Sequence, residues 1–209
     1  MIEKVTEINT FDKKDSFFID LNVFHPASYI VFVCKRNDRN KYNDYSNFTN
    51  WNNVDENLFY YNSPMNASSG ITKTNYTSYV KQILKEGKLI FNGVDRFSEK
   101  TEGFFRLSQK NENNINSSDD TDYIDGIYIY SFSLNPKKYE PSGSCNMSAI
   151  NKVKLNLELI TPPLQTDGVS GAEFSGPSPY QYKYDVNVYI VNYNIFKVNS
   201  GMGGLVFAN

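Results

Sequence analysis

The residues with the most chemical potential are few and scattered. His25 is the sole histidine. An imidazole can act as a general base or hold a metal near neutral pH. This one has no second histidine to work with, and it stands directly before Pro26, so a structural role is the better reading. Asp119, Asp120, Asp122 and Asp125 offer the oxygens that Ca²⁺ takes, yet the stretch lacks the sixth-place glycine and twelfth-place glutamate of an EF-hand loop. It reads as a solvated acidic loop. Gly201-Met202-Gly203-Gly204 has the glycine density of a phosphate loop but no following Lys-Ser/Thr and no helix to supply amide donors, so it reads as a turn. Asp95 and Arg96 read as a structural ion pair beside the Asn92-Gly93 turn. Cys145 has no base near it in sequence and reads as a small buried residue. Paired carboxylates of the glycosidase kind do not stand out among 23 acids. No catalytic, metal-binding or cofactor-binding residue is assigned.

The elements that would position these residues are strands. Phe17–Phe24 alternates in part and ends at His25-Pro26, because proline has no amide hydrogen to donate. Tyr29–Cys34 is a continuous apolar run of strand length, rich in β-branched and aromatic residues. Lys88–Phe91 leads into Asn92-Gly93, a tight-turn pair because both residues accept positive φ. Arg96, Phe97 and Phe104–Leu107 are expected to continue that sheet. Gly126–Leu134 and Tyr180–Phe196 read as strands, as does Val153–Leu159, which sets Val153, Leu155, Leu157 and Leu159 on one face. Pro141-Ser142-Gly143 is expected to join two of these strands and fix their register, with Gly143 at positive φ, where an alanine would damage folding. Leu205–Phe207 is expected to add a last short strand. A helix is expected only near Tyr76–Glu86, where Tyr79, Val80, Ile83 and Leu84 have helical spacing, and one helical turn over Asn135–Glu140. Lys35–Asn53, Asn62–Asn75, Lys110–Asp125 and Thr161–Pro179 read as long surface loops. About eight antiparallel strands, unequal loops and little helix fit an all-β sandwich or jelly roll.

Composition agrees. A chain of 209 residues is long enough to bury roughly 70% of its unfolded surface without staples. The 16 Tyr and 15 Phe suit a pleated surface, and 27 Asn suit many turns. A net charge of −2 argues against a basic stripe for nucleic acid. Cys34 and Cys145 are too few and too far apart for a disulfide framework and read as reduced. No apolar run approaches the ~18 residues a membrane helix needs. The charges in Met1–Ile8 do not fit a signal peptide, which points to the cytosol. The sequons at Asn47, Asn66, Asn75, Asn116 and Asn146 are what an Asn-rich chain produces by chance.

An ordered set of segments resembles a known family. These are His25-Pro26 with the apolar strand after it, Phe91-Asn-Gly-Val-Asp-Arg-Phe97 followed by Phe104-Phe105, and Gly126-Ile-Tyr-Ile-Tyr-Ser-Phe-Ser-Leu-Asn-Pro136. Then come Pro141-Ser-Gly-Ser-Cys-Asn-Met-Ser148, Tyr193-Asn194 and Ser200-Gly-Met-Gly-Gly204. Together they resemble the second, C-terminal jelly roll of the major capsid protein of nucleocytoplasmic large DNA viruses. The resemblance implies a structural capsid subunit of the virion, not an enzyme. It would be assembled in the host cytoplasm from trimers that tile an icosahedral shell, with the long loops as the outward tower. It implies contacts with copies of itself and with other capsid proteins. It implies no cofactor, no specific nucleic acid and no membrane insertion. The chain, residues 1–209, has the strands of a single jelly roll, which fits a C-terminal fragment or split-gene piece whose complement is an N-terminal jelly roll, or a stand-alone single-jelly-roll protein. Two rivals use the same fold. A carbohydrate-binding module would stack sugars on Trp51, Tyr42 and Tyr45. A cupin-type enzyme needs clustered histidines, and only His25 is present.

Overall fold

The computed structural model describes residues 1–37, 45, 48–50, 81–112, 126–138, 140–162 and 182–206. Twelve strands run in chain order through these residues. They are β1 (Ile2–Lys13), β2 (Ser16–Asp20), β3 (Pro26–Arg36), β4 (Leu84–Phe91), β5 (Val94–Asp95) and β6 (Lys100–Thr101). After them come β7 (Ile127–Ser131), β8 (Cys145–Asn146), β9 (Val153–Leu159), β10 (Tyr184–Asn194), β11 (Phe196–Asn199) and β12 (Met202–Leu205).

Ten of these build two antiparallel sheets of five strands each. One has the order β1-β10-β3-β7, with β8 beside β3; the other has the order β2-β9-β4-β5, with β6 beside β4. Strands close in sequence repeatedly fall in opposite sheets, which is the winding of a jelly roll. The expectation of an all-β jelly-roll sandwich with little helix holds.

One hydrophobic core lies between the sheets. The strict alternation of β9 places Val153, Leu155, Leu157 and Leu159 inward, with Lys154, Asn156 and Glu158 less buried. From the facing sheet come Ile30, Phe32 and Cys34 of β3 and Val186, Val188 and Ile190 of β10. Each large apolar side chain buried there contributes about 1.5–3 kcal/mol. Phe32 stacks on Tyr128 at 5.3 Å and meets Phe105 edge-on at 5.5 Å. Gly87 leaves room for this cluster, because a Cβ there would lie 3.1 Å from Leu157 and 3.3 Å from Phe105.

Several expectations are corrected. Phe104–Leu107 is not strand. Residues 102–112 are helical, with a π turn over Phe104–Ser108 and a short α-helix over Gln109–Glu112. The aromatic run imitated a strand, but it drops Phe105 into the core and sets Phe104 against Phe97 and Tyr130. The helix expected over Tyr76–Glu86 fails where it is described, since Lys81–Ile83 is not helical and Leu84–Glu86 begins β4; residues 76–80 fall outside the described residues. In place of the helical turn expected over Asn135–Glu140, residues Asn135–Lys138 make a turn with Lys138 N–H donating to Asn135 O; Tyr139 falls outside the described residues. Gly143 does have positive φ, at 138°. The two strands it was expected to join, β7 and β9, lie in different sheets, with the short β8 between them beside β3, so the connection crosses the sandwich and sets no register between them. The C-terminal turn is Ser200-Gly201, both at positive φ, and Met202–Leu205 is itself the last strand. β1 was not anticipated. Asn92-Gly93 closes β4 onto β5 as expected, with φ of 51° and 86°.

The sandwich is polar along its length. At one end stand Arg36, Leu84, Ile127, Leu159 and Tyr184, which border the long connections 37–83, 113–126 and 160–183. At the other end are the short closures 21–25 and Asn92-Gly93, the 132–152 crossing, and the hairpin β11–β12. Most of each predicted loop lies outside the described residues.

Candidate functional site

Two ends of the sandwich stand out, for opposite reasons. The end that carries the long connections is closed by a buried polar cluster. Asn50, only 2% exposed, is its hub. Its Oδ1 accepts from Tyr184 Oη at 2.7 Å and Tyr182 Oη at 3.3 Å, and its Nδ2 donates to Gln82 O at 3.3 Å. Its backbone N–H donates to Lys81 O, and its carbonyl accepts from Arg36 Nη1 at 3.3 Å. The Arg36 guanidinium also stacks over the Tyr182 ring, 3.8 Å from the centroid. Gln82 Oε1 accepts from Gly126 N and Tyr128 Oη, and Tyr128 Oη accepts from Leu84 N. Gly126 is held at φ 77°, where a Cβ would lie 2.0 Å from Phe48 O. Buried polar groups are costly unless paired, and this network pairs them while tying residues 36, 50, 82, 126 and 184 together.

Burial raises the Tyr184 phenol far above its ordinary value, with Tyr182 adding to the shift and Arg36 and Asn50 opposing it. Tyr128 is raised well above its usual value, first by burial. Both phenols stay protonated at neutral pH, so the cluster holds structure and offers no general base.

The opposite end exposes apolar surface. In the hairpin, Phe196, Val198 and Leu205 share one face, and Met202 and Lys197 the other. All eight strand residues are exposed, with Val198 at 63% and Met202 at 77%. Gly203 lies under Phe196, where a Cβ would stand 2.5 Å from the ring. Val206 N–H donates to Ile195 O at the base of the hairpin. β1, the edge strand of its sheet, exposes Val5 and Phe11.

Among the described residues, those singled out in sequence do not converge. His25 is buried beside β3, next to Phe24, whose carbonyl accepts from Ser148 Oγ. Asp95 pairs with Lys88 at 3.1 Å, not with Arg96; Glu99 joins the same lysine at 3.1 Å. Cys145 is half-buried in β8, and the fully buried cysteine is Cys34; both are free. Burial pushes both thiols up, and Arg96 opposes the shift at Cys145. Asp119, Asp120, Asp122 and Asp125, together with Tyr42 and Trp51, fall outside the described residues. Tyr45 is exposed. Among the described residues no group of acidic, histidine or cysteine side chains could hold a metal ion, and no helix is long and apolar enough to cross a membrane. Sequence reading missed the Asn50 cluster, since nothing marks that asparagine among 27. It saw a turn near the hairpin but missed the strand Phe196–Asn199, although the alternation Phe196, Val198 was there to see.

The family described as large eukaryotic DNA virus major capsid protein matches residues 2–204. The chain belongs to this family. Among relatives of this capsid-family chain, the major capsid protein of Phaeocystis pouchetii virus is 39% identical over 122 residues, 58% of this chain and 20% of that protein. The major capsid protein of Paramecium bursaria Chlorella virus 1 is 33% identical over 133 residues, 61% of this chain and 29% of that protein. Among solved structures, PBCV-1 VP54, fitted into a reconstruction of the virophage Sputnik, superposes with a TM-score of 0.65 at 26% identity. That match covers 99% of this chain and 50% of VP54. The Faustovirus major capsid protein, 13% identical with a TM-score of 0.55, shares the fold. The chain thus spans half the length of VP54 and under a third of the capsid relatives named here.

Proposed function

We propose that this chain is a structural subunit of the shell of a large DNA virus, with copies associating as trimer-based capsomers that tile an icosahedral surface. The observation that carries the reading is the family match through residues 2–204, on a jelly roll that superposes on VP54 along 99% of its length. Its two ends suit the task. The Asn50 cluster gives the long connections a rigid base, and we place that end outward. The opposite end, with its exposed apolar hairpin, faces neighbouring subunits.

Residues 1–209 form one jelly-roll domain, and a second jelly roll, on the same or a partner chain, completes the subunit. The partners are copies of this chain and other capsid proteins, in virions assembled in the host cytoplasm. No cofactor, specific nucleic acid, membrane insertion or enzymatic turnover is part of this role.

The test is intact mass spectrometry of purified particles. A polypeptide containing this sequence at high copy number supports the reading. A mass near 24.0 kDa means a stand-alone barrel, and about twice that, one further domain of ordinary size, means a double barrel. Absence from particles overturns it.

A further inference from the structure

The hairpin β11–β12 is a structure short of a partner. A lone two-stranded hairpin is marginal in water, and a third strand is what normally secures it. Among the described contacts, β11 and β12 pair with each other and with no other strand. One face carries Phe196, Val198 and Leu205, all exposed. Lys197 is the sole charged residue from Ile195 to Val206, so the hairpin is a cationic, apolar arm.

The matching surface is β1. It is an edge strand, and its pairing with β10 runs without a bulge from Ile2 to Thr10. Among the described residues no strand pairs with its other edge, and the row of backbone donors and acceptors along such an edge is a template for another strand. The outward face there presents Glu3, Val5 and Glu7, all exposed, while Lys4 lies on the opposite face. The arm is positive and the strand face is negative. Both features also stand at the same end of the sandwich: β1 enters opposite Asn194, and the hairpin follows directly after that residue. In a shell whose subunits all point the same way, features at the same end of neighbouring copies meet at one level.

We propose that the hairpin of one copy docks along the free edge of β1 in a second copy, with Lys197 set against Glu3 and Glu7. The choice of a second copy as partner rests on the capsid reading. The contact is head-to-tail, so it closes into a ring when the rotation between copies closes.

Sedimentation of the purified chain across a concentration series tests this. The wild type is expected to self-associate. Val198→Asp should abolish association. Lys197→Glu should weaken it roughly tenfold, because attraction becomes like-charge repulsion. The double change Glu3→Lys with Glu7→Lys should weaken it similarly, and combining it with Lys197→Glu should restore most of the loss. Circular dichroism spectra matching wild type show that each variant folds. If V198D and K197E associate as wild type does, the docking contact is overturned while the capsid reading stands. Absence of any self-association overturns the docking contact too, whatever the particle mass shows. So does binding of the hairpin to neutral lipid vesicles in place of a second copy.

Discussion

At the loop end of the sandwich, Asn50 and Gln82 draw together five segments of chain through buried hydrogen bonds; at the hairpin end, Phe196, Val198, Met202 and Leu205 stand in solvent. Both ends must close the same two sheets. The first does so with hydrogen bonds inside one chain, which fixes a platform. The second carries apolar side chains beyond the core, which only another surface can bury. Under the proposed capsid role, the first end would face outward and the second would be completed by neighbouring copies.

The contrast breaks most readily at Gly126. With φ at 77° and a Cβ that would stand 2.0 Å from Phe48 O, Gly126→Ala must displace backbone and should cost about 4 kcal/mol. Urea unfolding measures it, and a loss under 1 kcal/mol would mean the loop end is not rigid. Asn50→Ala comes next. It strands the Tyr182 and Tyr184 hydroxyls in a buried site, and about 3 kcal/mol should be lost in the same assay.

Alkaline pH probes the same cluster without mutation. Tyr184 and Tyr128 have folded pKa values raised by burial. Their stabilising contribution is therefore complete below the unfolded tyrosine value, about 10. Above it, the unfolded state ionises while the folded state holds its protons, so stability falls as pH rises. Thermal scans should be flat with respect to these groups from pH 7 to about 9 and decline beyond about 10. Tyr184→Phe should reduce the decline.

The smallest effect belongs to the other end. Gly201→Ala, at φ 81° with open space around it, should cost about 1 kcal/mol. The loss should be local, as faster amide exchange over Phe196–Leu205 with the global unfolding midpoint unchanged. A shifted midpoint would show that the hairpin belongs to the core's cooperative unit.

Much of the sandwich was legible in the sequence. Val153–Leu159 reads directly because one face is buried and the other is wet, and Asn92-Gly93 reads because the hairpin needs two positive φ values. β1 was missed because an edge strand with Glu3, Lys4 and Glu7 among its apolar residues lacks that clean contrast. Phe104–Leu107 misled because aromatic runs suit a strand and a core-facing helical turn alike. The Asn50 cluster was invisible, since it joins residues brought together only by the fold. The hairpin was half-seen: its glycines read as a turn, but Gly203 serves packing under Phe196.

The most direct test of the account is antibody labelling of purified particles, with one antibody raised against residues 110–125 and one against residues 195–206. The account predicts that the first decorates intact particles and the second binds only after the particles are disrupted. A hairpin antibody that decorates intact particles would contradict the orientation, and failure of both antibodies on disrupted particles would contradict the capsid role.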